Sequence, residues 1–173
     1  DRSGHGTHVA STVCGRAVEG VALGVAPGVS RLVVAKIMDE RLEAPLSRVT
    51  KALAWVESRH APIVLAALGF EFPRVTAQLV REGMDVERAA ALAFRQWRAV
   101  SDFMATQYAA YQSGMGCAVL LASAGNRRRE DLELGLGTPA SEWLAVGSLE
   151  PSGGRWAPAP SSQDNPHLSA PGV

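Results

Sequence analysis

The chain predicts an α/β fold built on a mostly parallel sheet, and three observations predict it. Short apolar runs rich in β-branched residues alternate along the sequence with longer stretches of helical periodicity. The clearest of these runs, residues 62–70, lacks the apolar–polar alternation of a half-buried strand, which is the habit of parallel strands covered on both faces. The 173 residues are 47% hydrophobic, enough for one domain, or most of one, with a real core.

The elements follow in order. "RLVVAKIMD" (residues 31–39) is apolar, β-branched and ends in charge, so it reads as a buried strand. In "SRVTKALAWVESRHA" a helix follows, with Ser47 as its cap and Val49, Leu53, Ala54 and Val56 at helical spacing. "PIVLAALGF" (residues 62–70) is a second strand that begins after a proline. Asp85 caps a long helix whose stripe is Val86, Ala89, Ala93, Trp97, Val100, Met104 and Tyr108, with Gly114 as the stop. "GCAVLLASAGN" (residues 116–126) and "EWLAVGSLE" (residues 142–150) are the third and fourth strands. From Pro151 onward the chain is rich in Gly, Pro and Ser and reads as loop, without repeats. In such a sheet the active site lies beyond the carboxyl ends of the strands, where "LGF" and "SAGN" stand.

Composition narrows the partners. Lys plus Arg and Asp plus Glu number 17 each, a balance that points to no nucleic acid and no anionic membrane. No apolar run approaches the roughly 20 residues of a membrane span, and no signal segment opens the sequence. Compartment and oligomeric state are left open. Cys14 and Cys117 are too few for a disulfide framework, and their apolar settings suit two buried thiols.

Chemistry concentrates in "SGHGTHVAST", residues 3–12, where His5 and His8 stand three apart. The residues alone leave three readings open: a metal pair, a catalytic base at a helix start, or two unremarkable histidines. A metal site needs a third ligand, and no acidic residue lies between the two as in the zincin pattern, so no metal is expected. A base needs a nucleophile and a carboxylate from distant parts of the chain.

The segment "GHGTHVAS" resembles the histidine motif of the subtilisin-like serine peptidases, matching from Gly4 to Ala10 and departing at Ser11, where the family has glycine. Further motifs follow in the family's order: "ALGVAPGV", "VVAKIMD", "ALG" at residues 67–69, "ASAGN" at 122–126, "TPAS" with "LAVGSL", and "SAPGV". The resemblance spans nearly the whole chain. It implies a three-layer subtilisin-like fold, incomplete at both ends, and a serine endopeptidase with no cofactor, acting on an extended polypeptide.

The resemblance also assigns roles. His5 would be the general base and Asn126 the side-chain donor to the oxyanion. Ala67, Leu68 and Gly69 would pair with the substrate backbone, with Glu43, Ala44 and Pro45 as the opposite edge. Ala122, Ser123, Ala124 and Gly125 would line the primary specificity pocket, their small size leaving room for a bulky side chain. The family's catalytic aspartate and serine are expected outside residues 1–173, and a polypeptide of these residues alone is expected to be inactive. Asp1 and Ser169 are read as non-catalytic, Ser169 as a loop serine.

Departures from the pattern are local. Phe70 stands where the family often has a second glycine. Residues 73–85 read as an insertion within a single partial catalytic domain spanning 1–173. Val18 replaces the asparagine ligand of the family's calcium loop, so that site is expected to be absent. "NRRRED" (residues 126–131) reads as a solvated charge run. The alternative function is a non-catalytic relative, a pseudopeptidase or peptide-binding module that keeps the cleft.

Overall fold

The computed structural model describes residues 1, 3–40, 43–115, 119–126, 133–135, 142–162 and 166–172. The chain divides into two compact units, Asp1–Ala61 and Pro62–Val173.

The first unit is helical. Helix α1 is His5–Cys14 and helix α2 is Leu46–Glu57. The last carbonyls of α1 find partners in the segment that follows it: Val25 N–H donates to Thr12 O at 3.0 Å and Ala26 N–H to Val13 O at 2.8 Å. "ALGVAPGV" thus closes the end of the histidine helix, where four carbonyls otherwise lack donors. Helix α2 starts one residue before Ser47, on an extended Pro45, a residue that ends an extended stretch without needing its own N–H. Leu53 is its buried residue.

Residues 31–39 differ from expectation. They form no ladder, and Leu32 and Val34 are 49% and 63% exposed. A strand of this kind is held by neighbours on its two edges, and among the described residues none pairs with it. The stretch is held instead by the Arg48 guanidinium, which donates to the Ile37 carbonyl at 2.9 Å, and by the bonds that Asp39 makes to Glu43.

The second unit holds the sheet. Strand β1 is Ile63–Ala66, β2 Gly69–Glu71, β3 Val119–Ser123, β4 Glu133–Gly135, β5 Leu144–Ser152, β6 Arg155–Pro158 and β7 Leu168–Pro171. β1, β3 and β5 lie side by side and parallel, β7 adds to β5 in parallel, and β6 pairs with β5 antiparallel. The run at residues 62–70 is therefore two strands, because β2 leaves the sheet and pairs antiparallel with β4.

Helix α3 is Phe72–Arg81 and α4 is Val86–Met115. Asp85 caps α4 as expected, its Oδ1 accepting from Arg88 N–H at 2.9 Å. Ala89, Ala93, Val100 and Met104 are buried along α4, and the stripe then continues through Tyr111, with Tyr108 half-buried and Val86 exposed. The helix runs one residue past Gly114. The candidate insertion at residues 73–85 falls mostly on α3, which packs along α4.

The fold is mixed α/β, with helices flanking a mostly parallel sheet. Val64, Ala66, Leu120, Ala122 and Ala145 are buried on one face, with Leu121 and Val146 half-buried on the other. In β1, Ile63 and Leu65 are 64% and 45% exposed, which corrects the expectation that this strand is covered on both faces. The buried face is tied to α4 through Trp143, fully buried, whose indole N–H donates to the Met104 carbonyl at 3.0 Å.

The tail is more ordered than its composition suggests. Gly153 and Gly154, at φ 55° and 77°, form the two-residue turn between β5 and β6. Positive φ at both positions is what a tight hairpin requires and what glycine permits. Ser169 lies in β7 opposite Gly147, not in a loop. Cys14 is half-buried, its thiol donating to the Ala10 carbonyl at 3.3 Å, and Cys117 lies outside the described residues. No helix among the described residues is long and apolar enough to cross a membrane.

Candidate functional site

His5 is the first residue of α1, after an N-cap at Gly4. The start of this helix is held by Asp1. Its Oδ2 accepts from Thr7 N–H at 2.7 Å, and its Oδ1 accepts from Gly4 N–H and from the Ser3 hydroxyl, each at 3.1 Å. Ser3 Oγ in turn accepts from His5 N–H at 3.3 Å. A carboxylate on the free N–H groups of a first turn is a favourable cap. This bonding leaves Asp1 the role of a brace that fixes the backbone from which His5 projects. His5 is exposed, as is His8 one turn on. Among the described residues no three His, Cys, Asp or Glu side chains come together as a metal site.

The second unit assembles the other candidates. β1 and β3 are parallel, with Ala66 opposite Ala122. The chain therefore leaves both strands at the same carboxyl edge, and Ala67, Leu68 and Gly69 emerge beside Ser123, Ala124, Gly125 and Asn126. Neighbouring strands lie about 5 Å apart, so the two segments begin side by side.

The turn after β3 is tightly specified. Ala124 N–H donates to the Val146 carbonyl at 3.0 Å, which keeps the chain on β5 for one more residue. Ser123 Oγ then accepts from Gly125 N–H at 3.1 Å. Gly125 takes φ 103°, a conformation that side chains rarely tolerate, and turns the chain out of the strand. Asn126 follows on the exposed side, its backbone bridged to Ser162. Ser162 is itself buried, and its hydroxyl accepts from Ser148 N–H at 3.1 Å. Ala122 is fully buried, Gly125 is buried, and Ser123 and Ala124 are half-buried.

Some expected edges are already used. Gly69 opens β2 and pairs with Gly135, so one edge of that residue is occupied by the chain's own β4. Glu43 turns both backbone groups to Asp39: its N–H donates to Asp39 Oδ1 and its carbonyl accepts from Asp39 N–H, each at 3.0 Å. Ala44 and Pro45 lead directly into α2. Phe70 is half-buried in β2, and Val18 closes a turn with Val21. Of the charge run, residues 127–131 lie outside the described residues, as does the whole of "TPAS".

Sequence reasoning missed Ser162 and His167. Ser162 supports Asn126 from a stretch read as loop, and no local pattern marks it. His167 Nδ1 accepts from Ala145 N–H at 2.9 Å, and a lone histidine in a loop carries no signal for such a bond.

A model of the family described as the subtilase family matches residues 1–173, the whole chain. No curated protein and no solved structure matches it.

Proposed function

The chain belongs to the subtilase family of serine peptidases, and on that footing we propose that it is a serine endopeptidase with His5 as general base and Asn126 as oxyanion donor. The observation that carries this reading is the shared carboxyl edge of β1 and β3, which brings a strand segment able to pair with a peptide beside a turn that exposes an amide side chain.

In this mechanism His5 takes the proton from a serine hydroxyl as its oxygen attacks the scissile carbonyl, and returns it to the leaving amine. The Asn126 side-chain amide donates to the oxygen that gains negative charge in the tetrahedral intermediate. Ala67, Leu68 and Gly69 receive the extended substrate as an added strand. Because one edge of Gly69 already pairs with β4, the substrate strand would add along the other edge of this segment. Ala122, Ser123, Ala124 and Gly125 form the wall against which the substrate side chain rests.

The aspartate and serine of the triad come from sequence outside residues 1–173. Within the chain, the Asp1 carboxylate caps α1 and Ser169 stands in a ladder. A polypeptide of residues 1–173 alone is then inactive, because without the serine no acyl-enzyme forms.

Fluorophosphonate labelling of the protein in its natural chain, with peptide mapping of the adduct, tests the reading. An adduct on a serine beyond Val173, abolished by His5→Ala, is the expected result. A folded, processed protein that takes no label would instead make it a pseudopeptidase that binds peptides in the same cleft.

A further inference from the structure

Strand β5 begins with a backbone donor that no neighbouring strand answers. Val146 turns its backbone groups toward β3, since its carbonyl accepts from Ala124 N–H. Along a parallel strand the flanking residues Ala145 and Gly147 face the other way, toward β7. Pairing with β7 starts only at Val146 and Leu168. The Ala145 N–H thus lies one step before that ladder, in a residue 3% exposed, where an unbonded amide is costly. It donates to His167 Nδ1 at 2.9 Å. An imidazole nitrogen accepts only when it carries no proton, so the neutral ring holds its proton on Nε2.

We propose that His167 is a positioning residue: its Nδ1 stands in for a carbonyl at the head of the β5–β7 ladder and fixes the register at which β7 lies along the sheet. Register needs such a device here. All four residues of β7 are exposed, so burial of one face does not select it, and strands of that kind slip. The two ends of the ladder are instead pinned by hydrogen bonds, Ala145 to His167 at the head and Gly172 N–H to the Leu149 carbonyl at 3.1 Å at the foot.

The consequence reaches the candidate site through direction. β7 is parallel to β5, and β5 to β3, so β7 delivers its carboxyl end toward the edge where Asn126 leaves the sheet. A slip of one residue would invert the faces of Ser169 and Ala170 and shift the chain beyond Pro171 relative to Asn126. The effect on catalysis rests on the peptidase reading, whereas the anchoring of β7 does not.

The test uses the protein in its natural chain, isotope-labelled at histidine nitrogen. The correlation spectrum should show His167 with a bare Nδ1 and a protonated Nε2, and a proton on Nδ1 overturns the proposal. Three variants follow. His167→Asn keeps an acceptor oxygen near the place of Nδ1, His167→Gln moves it outward, and His167→Ala removes it. Exchange of the Ala145 amide is expected to stay within about twofold of wild type in the Asn variant and to rise about tenfold in the other two. Equal exchange in all of them overturns the proposal. Should the Ala variant fail to fold, the Asn and Gln variants and the wild-type tautomer still decide. Labelling of the active serine should slow in the Ala and Gln variants and recover in Asn, and a rate indifferent to all three refutes the positioning role. A wild-type protein that never labels sinks the peptidase reading, while tautomer and exchange still judge the anchor.

Discussion

Residues 1–61 and residues 62–173 each carry strand-like apolar sequence, yet only the second stretch turns it into a sheet. In the first, Leu53 is the buried hydrophobic side chain among the described residues, and Leu32, Val34 and Val25 stand exposed. In the second, Trp143, Tyr111, Met104 and Leu120 are fully buried, and three parallel strands lie in register. The difference teaches that β-branched composition is permission to form a strand. A neighbour that supplies the hydrogen bonds is the requirement. Helices α1 and α2 need no such neighbour, since their bonds close within themselves.

The two stretches should also divide the labour of catalysis, and mutation can break or sharpen that division. The largest effect is expected from the first stretch: His5→Ala should lower kcat/KM for a peptide substrate on the order of 10⁶-fold, the scale known for loss of a triad member in this family. A decrease under tenfold would remove His5 from the chemistry. Next comes the core of the second stretch. Trp143→Ala should cost about 3–5 kcal/mol in denaturant unfolding, because it empties a fully buried site and leaves the Met104 carbonyl without its indole donor. An unchanged midpoint would show that the helix–sheet contact does not hold this stretch together.

Asn126→Ala should reduce kcat about 10²–10³-fold with little change in KM, the signature of a donor used only in the transition state. A rise in KM alone would reassign it to substrate binding. The smallest effect returns to the first stretch, where Asp1→Ala should cost about 1 kcal/mol of helix stability, the usual worth of a cap. It would be read as faster amide exchange at Gly4 and Thr7, the two N–H groups that Asp1 holds. Unaltered exchange there would mean that α1 is braced by other contacts.

Much of this architecture is legible in the sequence. Asp85 announced the start of α4, and Ala89, Ala93, Val100 and Met104 announced its buried side, because a helix writes its period into a single stretch of chain. β1, β3 and β5 were legible as apolar runs. The β5–β6 hairpin is also written locally, in the Gly153–Gly154 pair between the two strands, but a tail rich in Gly, Pro and Ser reads as loop and masks it. Residues 31–39 show the opposite error, a strand composition without a ladder. The histidine motif and the "ASAGN" turn were legible as candidates, since both are contiguous. Ser162 and His167 were not, because what marks each of them is a bond to a backbone group more than ten residues away.

By itself, then, the sequence determined the helices, the order of the motifs and through them the family, all of which depend on residues near one another along the chain. The tertiary structure decided which apolar runs became strands, which face of β1 was covered, and that β1 and β3 end side by side at one edge. The physical reason is that strand hydrogen bonds and sheet packing are made between segments far apart in sequence. A pattern read along one segment states what it offers, and only the fold supplies what accepts it.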